Sequence, residues 1–86
     1  MYSVYILKCK DGSLYTGITN DLQRRLIAHQ RGTASRYTRA KGVVGFIYTE
    51  QKRTKGTALK REAGIKKLTR EMKLELIKVG KTAKVR

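Results

Sequence analysis

Two tyrosines (Tyr5 and Tyr15), an arginine–histidine pair (Arg25 and His29) and one glutamate (Glu62) are the residues of this chain whose types and spacing suggest chemistry. Taken singly, each has an ordinary explanation: strand aromatics, one cation among 21, an incidental helix histidine. Glu62 stands apart. Of the six acids, Asp11 suits a turn, Asp21 and Glu71 suit helix starts, Glu50 ends a strand, and Glu75 can lie on an outer helix face. Glu62 instead falls four residues after Ala58 and three before Ile65, on the face expected to pack inward. An unpaired charge there costs several kcal/mol. It therefore needs either a Lys or Arg partner or a hard divalent cation such as Mg²⁺, which often takes one or two carboxylates and fills its shell with water and phosphate oxygens. Phenols that can move a proton, a permanent cation and a metal-binding carboxylate together form a minimal set for phosphodiester hydrolysis.

For that set to work, the local elements must bring it together. Tyr2–Cys9 and Ser13–Thr19 are rich in Val, Ile, Tyr and Thr and flank Lys10-Asp11-Gly12, which reads as a β-hairpin. A two-residue turn would send Tyr5 and Tyr15 to opposite faces. A type I turn followed by Gly12 in the left-handed region pairs Cys9 with Ser13, Leu7 with Tyr15 and Tyr5 with Gly17. That register gathers both tyrosines on one face and Val4, Ile6, Leu14 and Ile18 on the other, so the bulged hairpin is expected. Asn20 is a candidate N-cap, with Gln23 completing a capping box, for a helix over about Asp21–Gln30 that stops at Gly32. Arg25 and His29, one turn apart, share a face of it. Residues 33–42 read as a polar, basic loop and Val43–Glu50 as a third strand. A second helix starts near Thr54 or Thr57 and runs to about Leu68, with Ala58, Leu59, Glu62 and Ile65 inward. A third, capped by Thr69, covers about Arg70–Val79, with Leu76 and Ile77 inward and Gly80 as its stop. The expectation is an α+β domain: a three-stranded antiparallel sheet with flanking helices, in the order β-β-α-β-α-α. Residues 1–80 make one domain, and 81–86 a basic, flexible tail.

Charge narrows the partners. The chain has 86 residues, 21 Lys+Arg against 6 Asp+Glu and a formal net charge of +15, with eight cations before Lys52 and thirteen from it onward. Such a surplus attracts polyanions, and nucleic acid leads over an anionic membrane or an acidic protein. Arg36, Arg39 and Lys41 in the loop, with Lys66, Lys67 and Arg70 after Glu62, are the phosphate-contact candidates. Tyr37 among the loop cations is either a base-stacking platform or an ordinary anchor. Cys9 is the sole cysteine, so no internal disulfide forms, and it reads as a small core residue. No apolar run approaches the roughly 20 residues that span a bilayer. A cytoplasmic location without membrane association is the expectation.

The run Val4-Tyr5-Ile6, then Tyr15-Thr16-Gly17, then Arg25, then Glu62 is similar to the motif set of the GIY-YIG nucleases. The stretches Tyr5-Ile6-Leu7 with Asp11 to Asn20, Ser35 to Arg39, Lys60-Arg61-Glu62 and Ile65 to Arg70 resemble the small stand-alone branch of that family, over about residues 2–78. The resemblance implies that Tyr5 and Tyr15 are the motif tyrosines and that Gly17 is the glycine keeping their face open. It implies that Arg25 is the catalytic arginine, that His29 matches a histidine some members carry, and that Glu62 is the metal-binding glutamate. Ser3 and Val4 stand where the first motif has glycine and isoleucine, and a late asparagine of several members has no counterpart near Met72–Glu75. The implied activity is Mg²⁺- or Mn²⁺-dependent cleavage of nucleic acid, DNA ahead of RNA, in repair, recombination or processing. The competing expectation is a non-catalytic nucleic-acid-binding module with the same fold, and a protein partner could supply targeting. The chemistry requires Tyr5, Tyr15, Arg25 and Glu62 to surround one phosphate-sized hollow.

Overall fold

The computed structural model describes the backbone of residues 1–84 and the side chains of residues 1–80. Strands β1 (Tyr2–Cys9) and β2 (Leu14–Thr19) are followed by helices α1 (Leu22–Arg31) and α2 (Arg36–Lys41), strand β3 (Val43–Lys52), and helices α3 (Lys55–Lys66) and α4 (Arg70–Lys84). The sheet is antiparallel, in the order β2-β1-β3. The fold is thus the expected α+β arrangement with one added helix.

The hairpin takes the bulged form. Leu7 pairs with Tyr15 and Tyr5 with Gly17, the Cys9 N–H donates to the Ser13 carbonyl at 2.9 Å, and Gly12 sits at φ +87°. This register splits the buried side chains into two layers. Val4 and Ile6 pack with Ala58 and Ile65 of α3 and Ile77 of α4; Tyr5, Leu7 and Cys9 pack with Leu22 and Leu26 of α1. Each face of the sheet therefore has its own helical cover.

β3 serves both layers through an irregularity. Ile6 faces Tyr48 while the next residue, Leu7, faces Phe46. One extra residue in β3 turns Phe46 to the tyrosine face and Tyr48 to the aliphatic face, although a regular strand would put them together.

Four local expectations are corrected. The segment read as a loop holds α2, started by Ser35, whose hydroxyl accepts the Thr38 N–H at 3.1 Å; a six-residue polar helix has no apolar period to reveal it. The α1 cap is Asp21, not Asn20: the Thr19 hydroxyl accepts the Asp21 N–H at 3.1 Å, and the Asp21 carboxylate then accepts from the Arg24 N–H at 3.1 Å. Leu59 is 44% exposed, so the inner face of α3 is narrower than its apolar pattern suggests. α4 does not stop at Gly80; it continues to Lys84, and a Cβ on Gly80 would lie 2.6 Å from the Tyr48 ring, so this glycine serves close packing. The tail expected over 81–86 lies, in its side chains, outside the described residues. Among the described residues no helix is long and apolar enough to cross a membrane.

Candidate active site

Tyr5 projects from β1 across its strand partner Gly17. A Cβ on Gly17 would lie 2.5 Å from the Tyr5 hydroxyl, so the missing side chain is what admits the phenol over the edge strand. The ring is 2% exposed and packs on Phe46 with centroids 4.8 Å apart. Its oxygen lies 2.8 Å from Nε2 of His29, which α1 holds 2% exposed. On the other side of that imidazole, Nδ1 lies 2.8 Å from the hydroxyl of Thr38 on α2, and Thr38 Oγ1 lies 2.9 Å from Ser35 Oγ. A chain of four side chains, buried from Tyr5 to Thr38 and part-buried at Ser35, thus leads from the sheet through α1 to the start of α2.

Charge states along this chain follow from burial. Desolvation pushes the Tyr5 phenol far above the ordinary tyrosine range; Tyr15 and Glu62 add to the rise and Arg25 opposes it. Desolvation also lowers the His29 pKa from its ordinary 6.5, and repulsion from Arg25 lowers it further. Both groups are neutral at physiological pH: Tyr5 keeps its proton, and His29 has one bare nitrogen.

Tyr15 meets the same histidine, edge to face at 5.3 Å, and stacks on Tyr37 of α2 at 5.9 Å. Among the described residues its hydroxyl makes no hydrogen bond. Tyr37 is 41% exposed, with Lys41 Nζ over its ring at 5.4 Å. Lys41 is tied to Asp11 at 2.8 Å across to the hairpin turn.

Arg25 and Glu62 come from opposite layers, α1 and α3. Even so, both charges act on the Tyr5 hydroxyl, in opposite senses. Arg25 is half-buried with no carboxylate partner among the described residues, and it lines a hollow of about 460 Å³ with Thr19, Asn20, Asp21, Arg24 and Ala28. Tyr5, Tyr15 and Glu62 are not among the residues that line this hollow. Tyr15, Arg25 and Glu62 nonetheless all act electrostatically on the Tyr5 phenol.

This ordered set over one chain finds its match in a family model, that of the GIY-YIG catalytic domain, over residues 1–75. The chain belongs to the GIY-YIG family. It is 54% identical over 77 residues to a UPF0213 protein of Clostridium perfringens, covering 90% of this chain and 83% of that one. A UPF0213 protein of Staphylococcus saprophyticus is 48% identical, with coverage of 90% and 94%. The solution NMR structure of a UPF0213 protein from Bacillus halodurans superposes with a TM-score of 0.59 at 40% identity, covering 92% of this chain and 85% of that one.

Two acids of this GIY-YIG domain face the α3 layer, and they differ in what they are free to do. Glu50 accepts from Arg61 Nε at 2.6 Å and Nη2 at 3.4 Å, has Lys52 at 3.5 Å and receives the Tyr48 hydroxyl. Burial pushes its carboxyl up, but these donors outweigh that and hold it below the ordinary range. Glu50 is fully committed. The signal for this cluster was present in the sequence, because Arg61 lies three residues after Ala58 and four before Ile65. Among the described residues Glu62, 18% exposed, has only Lys66 at 3.4 Å, one helical turn on and itself 54% exposed. A pair so screened is worth about 0.3–0.5 kcal/mol and yields readily to a stronger ligand. Among the described residues no three His, Cys, Asp or Glu cluster together. The donor chemistry fits a hard cation held by one carboxylate, with water and substrate oxygens completing its shell.

The six cations and Tyr37 expected to bind nucleic acid divide between the layers. Arg36, Arg39 and Lys41 ride on α2, with the Arg39 stem packed against Gly32. Lys66, Lys67 and Arg70 are exposed around the α3–α4 junction. Thr38 and Ser35 were missed as site residues; their spacing, Ser-x-x-Thr, is that of a helix cap.

Proposed function

We propose that this protein is a metal-dependent endonuclease that hydrolyses phosphodiester bonds of nucleic acid, DNA in preference to RNA, in repair, recombination or processing. The observation that carries the reading is the Tyr5 hydroxyl: it hydrogen-bonds to a neutral histidine and lies within electrostatic reach of Tyr15, Arg25 and Glu62.

A phenolate at so buried a position is out of reach at neutral pH, so Tyr5 does not act as a preformed base. It acts as a relay. As the attacking water delivers its proton to the Tyr5 oxygen, the phenolic proton passes to Nε2 of His29, and no charge is left on the tyrosine. Positioned proton transfer of this kind contributes about 10²–10⁴-fold. Arg25, permanently charged and without a carboxylate partner among the described residues, neutralises the charge that builds on the phosphoryl oxygens. The Tyr15 hydroxyl, which makes no hydrogen bond among the described residues, supplies a donor to the same phosphate. Glu62 would hold Mg²⁺ or Mn²⁺, which when bound supplies Lewis-acid stabilisation of the phosphate and leaving oxygen. The exposed cations of α2 and the α3–α4 junction bind backbone phosphates, and affinity falls steeply with salt.

Supercoiled plasmid, branched DNA and RNA, each with Mg²⁺, Mn²⁺ or EDTA, test the proposal beside Arg25→Ala and Glu62→Ala. Metal-dependent cutting that both variants lose while still binding DNA supports it. Cutting that survives Glu62→Ala refutes the assigned site. Tight binding without cutting on every substrate assigns the protein as a binding module.

A further inference from the structure

The geometry points to Thr38 as a positioning residue that fixes the tautomer of His29, and thereby the direction in which the Tyr5 proton can move. The inference deepens the hydrolytic reading and takes its functional meaning from it.

The hydrogens along the Tyr5–His29–Thr38 chain can be counted from its partners in the protein. Thr38 is 0% exposed, and its hydroxyl has one proton to give. Within reach of Thr38 Oγ1 are His29 Nδ1 at 2.8 Å, Ser35 Oγ at 2.9 Å and the Ser35 carbonyl at 3.4 Å. Both Ser35 oxygens can accept, so the Thr38 proton has somewhere to go within its own helix turn. Its lone pairs are then left for Nδ1, which must carry a hydrogen to use them. A neutral imidazole protonated at Nδ1 is bare at Nε2. That bare nitrogen faces the Tyr5 oxygen at 2.8 Å, where the phenolic proton needs an acceptor.

The opposite tautomer fails on the same count. With the hydrogen on Nε2, two protons would compete for the line between His29 and Tyr5. The phenolic O–H would need another acceptor, and among the described residues Tyr5 Oη has no hydrogen-bond partner besides His29. Stranding a buried donor is unfavourable. Which imidazole nitrogen carries the proton is generally set by the hydrogen bond the other one makes, and here the partner on the far side is Thr38. Only the Nδ1–H form can receive the Tyr5 proton. A histidine that donated to Tyr5 would hold it in place but could not relieve it.

The chain has a single histidine, so ring ¹⁵N spectra of full-length protein labelled at histidine report His29 alone. At neutral pH, without substrate, the wild type should show a protonated, pyrrole-like Nδ1 and a bare, pyridine-like Nε2. Thr38→Val, close in shape and lacking the acceptor, should lose that preference, and Thr38→Ser should keep it. In plasmid cleavage, Thr38→Val should lower kcat on the order of 10²-fold with DNA affinity unchanged, and Thr38→Ser should restore most of the rate. An Nε2–H tautomer in the wild type overturns the inference, as does a Thr38→Val protein with the wild-type tautomer. If Thr38→Val does not fold, the wild-type and Thr38→Ser spectra still decide. A correct tautomer that switches in Thr38→Val, in a protein that cuts nothing, leaves the inference standing and removes the nuclease reading instead.

Discussion

Replacing Gly17 with alanine adds one methyl group where the structure has least room for it. The backbone there does not lie in the left-handed region, so alanine meets no conformational penalty and the effect is purely one of space. The new Cβ would sit 2.5 Å from the Tyr5 hydroxyl and 2.7 Å from Cζ. To reach an ordinary contact of 3.4 Å the oxygen must recede by about 0.9 Å. A flexible side chain could swing aside, but this ring is buried, packed on Phe46 and tied to His29 at 2.8 Å. Either the hydrogen bond to His29 breaks or β2 shifts against β1. Overpacking of this kind costs about 1–3 kcal/mol, and displacing a reacting group by about 1 Å costs about 10² in rate. Urea denaturation should show the lost stability, and plasmid cleavage the larger loss in kcat. A Gly17→Ala protein with the wild-type urea midpoint and the wild-type cutting rate would refute the placement of Tyr5 over Gly17.

Gly64 is the matched control: it lies inside α3 with nothing within 4 Å of a Cβ, so Gly64→Ala should stabilise the fold by about 0.5–1 kcal/mol in the same denaturation assay. Arg61→Ala should weaken the hold of α3 on β3 by about 1 kcal/mol at neutral pH, since Glu50 keeps Lys52 and Tyr48. Because the folded Glu50 carboxyl lies below its ordinary value, its contribution is present above that value and lost as pH falls through the folded one; acid titration of stability should be flatter in Arg61→Ala. The lowered His29 pKa predicts that kcat/KM, which reports the free enzyme, turns down only below pH 6.5 as the imidazole protonates. Lys67→Ala and Arg70→Ala should each reduce the salt slope of DNA binding by about 0.9, read from affinity at several salt concentrations.

The hairpin was legible because alternation and turn chemistry agree. Only one register makes a clean aliphatic face, and Asp11-Gly12 supplies the left-handed residue that register requires. α3 was legible in position but not in width, since Leu59 fits the period yet lies outside the contact. The segment from Ser35 to Lys41 was opaque because a short helix of polar residues is specified by a cap alone. The register shift in β3 was equally hidden: nothing in Phe46-Ile47-Tyr48 marks the extra residue, and it is tertiary packing that sends the two rings apart. The site followed the same division. Tyr5, Arg25 and Glu62 could be named from type and spacing, whereas Thr38 became visible only once α2 brought it to His29.

The two-layered cover of the sheet carries a consequence for how the proposed activity would be lost. Arg25, His29 and Thr38 belong to the α1–α2 side, Glu62 to the α3–α4 side, and β1 is the wall they share. Loosening α3 and α4 would withdraw the Glu62 carboxylate, the group proposed to hold the metal, while leaving the tyrosine–histidine–threonine chain intact. On the proposed mechanism, a protein damaged in that way would keep the phosphate-binding cations of α2 yet lose cleavage.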